Sequence, residues 1–166
     1  MANNATLNVK LAMTETTTAN ELAADKNIDH VFEALAKLGA TTTPVVTKVY
    51  AQQLQLSGGA LTLNLTALTD GVGAALDLDT LKVQIFAVKN APSTGAANTD
   101  TLNIKTGAVD GFGILGDTLS EATLAIGGFL VIYNPEGTAD VAAAVDQVDF
   151  SSTDVDASFQ VLIAAG

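Results

Sequence analysis

The sequence lacks cysteine, arginine and tryptophan, and each absence excludes a kind of chemistry. Without cysteine the chain has no disulfide, no thiolate metal ligand, no iron–sulfur cluster and no thiol nucleophile. Without arginine, and with a formal net charge of −11, it lacks the cations that bind nucleic-acid phosphates. We therefore expect no nucleic acid among its partners.

Aromatic residues and long apolar runs are also scarce. Aromatics make up 5% of the 166 residues, and with tyrosine only at Tyr50 and Tyr133 a glycosidase site with aromatic platforms for sugar rings is disfavoured. The longest strongly apolar run, Ile126 to Tyr133, contains two glycines and falls far short of the roughly 20 residues that span a membrane. The first residues lack the basic start of a secretory signal. We expect synthesis in the cytoplasm and no membrane partner.

The hydrophobic share of 48% comes mainly from small and aliphatic residues, a composition that folds. The length suits one domain with a terminal appendage. All seven lysines lie in residues 1–105, and the last 61 residues carry nine acids and no cation. We interpret this as a solvated acidic face that keeps the particle soluble; the alternative is an acidic patch that meets a basic partner.

Residues 1–44 form a distinct segment of the sequence. Leu7, Val9 and Leu11 alternate with polar residues, which predicts an extended arm over residues 1–18 that needs a partner strand. Apolar residues then recur at helical spacing, at Ile28, Val31, Phe32, Leu35 and Leu38. With Asn27 as N-cap and Gly39 after the last turn, they predict one short helix. We expect this arm and helix to serve as an attachment or oligomerisation segment.

From Val45 onward short strands alternate with turns. The predicted strands are Val45 to Leu56, Leu61 to Thr66, Leu81 to Val88, Thr101 to Lys105, Leu124 to Tyr133, Val141 to Phe150, and Ser158 to Ala164. Turn signals such as Gly58-Gly59 and Asn134-Pro135-Glu136-Gly137 separate them. Residues 139–148 also fit a helix, and we assign them to a strand. Seven or eight strands predict a mainly β fold, a jelly-roll-like antiparallel β-sandwich over residues 45–166.

Titratable residues do not form a recognisable reaction site. His30 lies on the polar side of the predicted helix, and no nucleophile motif accompanies it, so we interpret it as a surface or interface residue. Asp77 and Asp79, like Asp154 and Asp156, could project two carboxylates to one side. Calcium takes six to eight oxygens, and two carboxylates are too few. We expect these acids to be solvated and to discourage pairing at strand edges.

A G-x-G-x-x-G pattern occurs at Gly111, Gly113 and Gly116. A dinucleotide fingerprint follows a strand and opens a helix, whereas strand-like sequence comes next here. We therefore predict a glycine-rich β loop. We assign no catalytic, cofactor-binding or metal-binding residue and expect no cofactor; a hydrolase with acids converging from separate strands is the minor alternative.

Several short segments follow one another in a particular order along residues 45–166. They are Val45-Val46-Thr47-Lys48, Leu54 to Leu61, Leu81 to Asn90, Gly111 to Asp117, Gly127 to Leu130 with Asn134 to Gly137, Asp146-Gln147-Val148, and Phe159 to Ile163. In this order they resemble β-rich virion structural proteins of tailed phages and prophages, of the capsid decoration, minor capsid or head-fibre type. Ile126 departs from the resemblance, because such proteins often place a proline there. Residues 1–44 lie outside it.

The resemblance implies a non-enzymatic protein of the virion exterior with a jelly-roll-like sandwich. It implies the major capsid protein or other virion proteins as partners, and a homo-oligomer, with a trimer favoured. The alternative is a carbohydrate- or receptor-binding module of a head fibre or tail. That module would use loops such as Pro92–Thr101 or Gly107–Asp117, since loops on a rigid sandwich commonly carry recognition.

Overall fold

The computed structural model describes residues 5–17, 26–38, 43–92, 94–116 and 121–166. The strands are β1 (Ala5–Thr17), β2 (Lys26–Leu38), β3 (Lys48–Gln55), β4 (Ala60–Asn64), β5 (Leu68–Thr69), β6 (Ala75–Leu76), β7 (Val83–Lys89), β8 (Leu102–Thr106), β9 (Glu121–Leu124), β10 (Phe129–Tyr133), β11 (Gln147–Ser151) and β12 (Ser158–Ala165). Those ranges contain no helix. The predicted mainly β class is confirmed.

Eight of the strands form two antiparallel sheets. Sheet I has the order β10-β7-β12-β3, and sheet II has the order β4-β11-β8-β9. Strands β5 and β6 form a small hairpin of their own. Successive side chains of a strand point to opposite sides of a sheet, so each sheet has an inner and an outer face.

The inner faces of the two sheets share one hydrophobic core. Phe86 and Phe159 of sheet I and Ile104 and Phe150 of sheet II are all buried in it. The rings of Phe150 and Phe159 are tilted by 33° with their centroids 4.6 Å apart. Because burying one such side chain contributes about 1.5–3 kcal/mol, this contact is a principal link between the sheets.

Strands β1 and β2 form a separate two-stranded ribbon. They pair antiparallel along thirteen residues, from Ala5 opposite Leu38 to Thr17 opposite Lys26. Leu38 is buried against Val46, Ile85 and Ala164, and Leu7 packs on the same cluster. Since Ile85 and Ala164 belong to the outer face of sheet I, the base of the ribbon is fixed to that face.

The short helix predicted for Asn27 to Gly39 is wrong, because residues 26–38 form strand β2. The predicted N-cap, Asn27, instead pairs with Thr16, and Gly39 lies outside the described residues. Strand β1 needs a partner for its backbone N–H and C=O groups, and β2 supplies one along its whole length. The β-branched and aromatic residues in this segment favour a strand in that setting.

Two further boundaries differ from the predictions. The strand predicted from Leu124 to Tyr133 divides into β9 and β10, because Gly127 adopts a positive φ of 74° and makes a turn between sheets II and I. Residues 139–146 form neither the predicted strand nor a helix. They form turns, with the Val145 N–H donating to the Ala142 carbonyl at 2.6 Å, and β11 begins only at Gln147.

Candidate functional site

The outward-facing residues of sheet I form three rows that cross its four strands. The first row is Phe129, Lys89, Gln160 and Gln53; the middle row is Val131, Ala87, Leu162 and Ala51; the third row is Tyr133, Ile85, Ala164 and Val49. We call this surface the outer face. Its middle row is wholly apolar, although outward residues of an antiparallel sheet are commonly polar when they meet water.

The ribbon covers only one end of the outer face. Ile85 in the third row is 3% exposed beneath the ribbon base, whereas Leu162 in the middle row is 40% exposed and Phe129 in the first row is 73% exposed. A shallow groove of about 430 Å³ lies over the first two rows. Among the described residues that line it, Lys89 alone carries a charge.

Strand β10 adds an exposed edge to this groove. It is one of the two edge strands of sheet I, and its sequence, Phe129-Leu130-Val131-Ile132-Tyr133, contains no charge, proline or glycine. Natural sheets usually protect such edges with charged side chains, proline or bulges. The groove and this edge together suit contact with an apolar protein surface rather than acid–base chemistry.

The structure places the first predicted acid pair in a turn. The Asp79 N–H donates to Asp77 Oδ1 at 2.8 Å, and the Thr80 hydroxyl donates to the Asp79 carbonyl. Both aspartates are exposed. Asp77 therefore stabilises the backbone of the turn that precedes β7, a common role for aspartate.

Of the second pair, Asp154 belongs to a clasp between two loops, formed by Thr99, Asp100, Thr153 and Asp154. Asp154 Oδ2 accepts hydrogen bonds from the Thr99 N–H at 2.8 Å and the Thr99 hydroxyl at 3.0 Å. In the opposite direction, the Thr153 hydroxyl donates to Asp100 Oδ2. Asp156, the other member of the pair, lies outside the clasp. Its backbone carbonyl accepts a hydrogen bond from Gln55 Nε2 of β3 at 3.1 Å.

Hydrogen bonds of the clasp stabilise both carboxylates in their charged form. The Thr153 hydroxyl, and then the Thr101 N–H, hold the pKa of Asp100 below its ordinary value. The Thr99 N–H, and then the Thr99 hydroxyl, lower the pKa of Asp154, while the nearby charge of Asp100 acts in the opposite direction. The carboxylates serve loop–loop contact here.

His30 and the glycine pattern are not brought together with these acids. His30 lies in β2 opposite Met13, and its side chain is outside the described part of the structure. Gly111 lies in a loop, where a Cβ atom would clash with the Gly107 carbonyl oxygen. Phe112 and Ile114 bury their side chains in the core. The glycines thus permit close packing of a loop against β11.

Sequence reasoning missed a group of buried polar residues. Asn90 donates to the carbonyls of Asp100 and Leu124, and Asn98 donates to Asn90 Oδ1 at 2.6 Å and to the Ser158 carbonyl at 2.8 Å. These contacts fix the loop after β7 to the sheets. Only the occurrence of asparagine beside turn residues pointed to them, and that signal is typical of any turn.

Asp146 is a further buried acid that the sequence did not single out. It is 2% exposed, its Oδ2 accepts from the Thr66 hydroxyl at 2.6 Å, and its Oδ1 has no partner among the described residues. The Thr66 N–H donates to Asn64 Oδ1 at 2.8 Å. This network joins the end of β4 to the start of β11.

The residues that the structure describes contain no group of three or more His, Asp or Glu side chains placed to hold a metal ion. Within the same residues, no helix has the length and apolarity needed to cross a membrane. Comparisons with protein-family models, with curated proteins and with solved structures return no match to this chain.

Proposed function

We propose that this chain is a non-enzymatic structural protein of a tailed-phage virion, bound to the exterior of the capsid as a decoration or minor capsid protein. Its body, residues 45–166, is a jelly-roll β-sandwich in this proposal. Its partners are the major capsid protein or other virion proteins and further copies of itself, with threefold symmetry favoured. It joins the particle after synthesis in the host cytoplasm.

The strand order is the observation that carries the proposal. The eight strands of the two sheets, counted along the chain from β3, follow the orders six-three-eight-one and two-seven-four-five. The first strand therefore lies beside the last, and the second beside the seventh, as when one long hairpin folds over on itself. Jelly rolls have eight strands arranged as two Greek keys, and they recur in viral capsid proteins and in lectins.

Mass spectrometry of purified particles tests the proposal. We expect the chain in particles released by cells that encode it, in a copy number that matches the symmetry axes of the capsid. Its absence from particles, while it accumulates in the same cells, would overturn the assignment.

A second experiment tests the role of residues 1–44. In the proposal this segment makes the contacts to the shell or to sister subunits. Deletion of residues 1–40 is expected to abolish cosedimentation with particles while far-UV circular dichroism retains the strand signal. Binding that survives the deletion would contradict the attachment role.

A carbohydrate- or receptor-binding module is the second candidate, and the hydrogen-bonded loop after β7 favours it. Asn98, which is 7% exposed, and the clasp hold residues 98–100 of this loop against the sheets. Preorganised loops lose less entropy when they bind a ligand. A glycan array probed with and without calcium distinguishes the two candidates, because only this one predicts a binding signal.

A further inference from the structure

We propose that the outer face of sheet I is the docking surface for the ribbon of a second copy of this chain. The inference deepens the oligomeric part of the proposed function and rests on it, but it does not depend on attachment to a capsid. It is carried by two apolar surfaces of one molecule that match each other.

The first surface is the uncovered part of the outer face. Val131, Ala87, Leu162 and Ala51 form a continuous apolar row across four strands. Phe129, which is 73% exposed, stands at the end of the adjacent row. A large aromatic side chain left in water beside an apolar row is typical of a surface that a protein partner covers.

The second surface belongs to the ribbon. In the backbone register, positions 7, 9 and 11 of β1 and positions 32, 34 and 36 of β2 lie on one side of the ribbon, and the sequence has an apolar residue at each of the six. The opposite side has the pair Lys10 and Glu33 and also Leu35, which lies opposite Asn8 and is 59% exposed. A two-stranded ribbon is marginally stable by itself in water, so its apolar face requires a surface to pack on.

The outer face already binds the base of a ribbon within one molecule. Leu7 and Leu38 pack on the third row, at Ile85, Ala164 and Val49. The first and middle rows continue the same surface along the same strands. The contact that a second ribbon would make is therefore an extension of a contact that the fold already contains.

The ribbon is too long for the outer face of its own molecule to cover all of it. Ten residues of β1 follow Leu7, and at about 3.4 Å per residue they extend roughly 34 Å. The three rows of the outer face span about 14 Å at the same rise per residue. About 20 Å of ribbon therefore extends beyond its own sheet, even if it ran along that sheet.

Charge favours a second copy as the occupant. Residues 45–166 carry thirteen acids and four lysines, whereas the two strands of the ribbon carry three acids and three lysines. Two copies of this acidic body repel each other over most of their surfaces. The groove on the outer face has Lys89 and no acid among its described lining residues, so a neutral ribbon binds there without repulsion.

Such a contact joins two different surfaces and is therefore heterologous. Heterologous contacts close into rings when the rotation between neighbours permits. A ring in which each ribbon lies on the outer face of the next copy is compatible with the trimer of the proposed function.

Interchain disulfide trapping tests the inference directly, because the natural chain has no cysteine. One purified variant carries Leu11→Cys in the ribbon, and a second, isotopically labelled variant carries Leu162→Cys on the outer face. After mixing and mild oxidation we expect a mixed covalent dimer of twice 16.8 kDa. Its yield is expected to exceed by at least tenfold that of the control pair of Leu11→Cys with Val72→Cys, since Val72 is 88% exposed in the β5–β6 turn and belongs neither to the three rows nor to the residues that line the groove.

Sedimentation equilibrium of the full chain provides the second measurement. We expect an oligomer whose dissociation constant rises at least tenfold in Phe129→Lys and is unchanged in Val72→Lys. A natural chain that remains monomeric at about 100 μM, equal yields from the two cysteine pairs, or cross-links between ribbons alone would each overturn the inference. A chain that assembles but is absent from particles refutes the capsid proposal and leaves this one standing.

Discussion

Buried asparagines determine how the loops of this protein are held. Asn90 is fully buried and uses its side chain in three hydrogen bonds, to Asp100, Leu124 and Asn98. A buried polar group that loses its hydrogen-bond partner lowers the free energy of unfolding by about 1–3 kcal/mol. Each of these side chains therefore stabilises the fold mainly by satisfying the groups around it.

Replacing Asn90 by alanine is expected to lower the free energy of unfolding by about 2–4 kcal/mol, because the carbonyls of Asp100 and Leu124 lose a donor and the Asn98 amide loses one of its two acceptors. Urea denaturation followed by circular dichroism measures the change. Asn103→Ala is the matched control, since half-buried Asn103 accepts one hydrogen bond from the Thr123 hydroxyl, and we expect it to cost less than about 1 kcal/mol. Equal losses in the two variants would contradict this account.

Two loops depend on charged aspartates for their contact. The pKa values of Asp100 and Asp154 are lowered in the folded protein, from an ordinary value of 3.8. A carboxyl group whose pKa is lower in the folded than in the unfolded protein stabilises the fold at pH values above its unfolded-state pKa. That stabilisation disappears as the pH falls through its folded-state pKa. The clasp therefore contributes fully near neutral pH and is lost below about pH 4.

The double variant Asp100→Asn/Asp154→Asn tests this dependence. We expect it to be less stable than the natural chain at pH 7, and we expect the difference to shrink as the pH falls from 5 to 2. Thermal unfolding at several pH values measures both curves. Asp77→Asn/Asp79→Asn serves as the control pair, because the hydrogen bond that the Asp77 carboxylate accepts comes from its own turn, from the Asp79 N–H. A difference that stays constant with pH would exclude the proposed role of the charges.

At the scale of elements, the contact between the two sheets depends on a few large side chains. Replacing Phe159 by alanine removes the ring that packs on Phe150 and leaves a cavity, so we expect a loss of about 3–5 kcal/mol. Phe129→Ala removes the same side chain from an exposed position of the same sheet and is expected to change the free energy of unfolding of the monomer by less than about 0.5 kcal/mol. Chemical denaturation at concentrations below assembly distinguishes the two.

Elements with strict alternation were the most predictable from the sequence. Leu61, Leu63 and Leu65 alternate with polar residues, and β4 lies where that pattern indicates. The segment of β2 carries both patterns: its apolar residues recur at helical spacing, while Ile28, Phe32 and Leu38 also share one face of a strand. Its partner β1 decides between them, and no local window of sequence contains both strands.

The candidate surface was only partly predictable for the same reason. Alternation separates the two faces of β12, whereas the end of β7, from Ile85 to Val88, is apolar on both faces. The middle row of the outer face, however, consists of Val131, Ala87, Leu162 and Ala51, which come from four separate parts of the chain. The order of the strands in sheet I brings them together, and that order is a property of the tertiary fold.

The whole molecule combines a strongly acidic body with a neutral ribbon, and this difference predicts how salt affects assembly. Screening weakens repulsion between acidic bodies more than it weakens contact between apolar surfaces. We expect the dissociation constant of the oligomer to fall severalfold as sodium chloride rises from about 20 to 500 mM, as measured by sedimentation equilibrium. Weaker assembly in high salt would instead indicate attraction between charges, as in the alternative in which the acidic half meets a basic partner.

The position of β12 in sheet I has a consequence for the order in which the protein is made. It lies between β7 and β3, and it pairs Lys48 with Ala165 near the two ends of the body. A ribosome releases β3 and β7 long before the strand that joins them exists. Sheet I therefore cannot be completed before β12 has been synthesised. Pairings between residues so distant in sequence also form slowly. Until β12 emerges, β3 has no partner in sheet I and β7 can pair only with β10, so the nascent chain has open strand edges that a chaperone must shield or that neighbouring chains can capture.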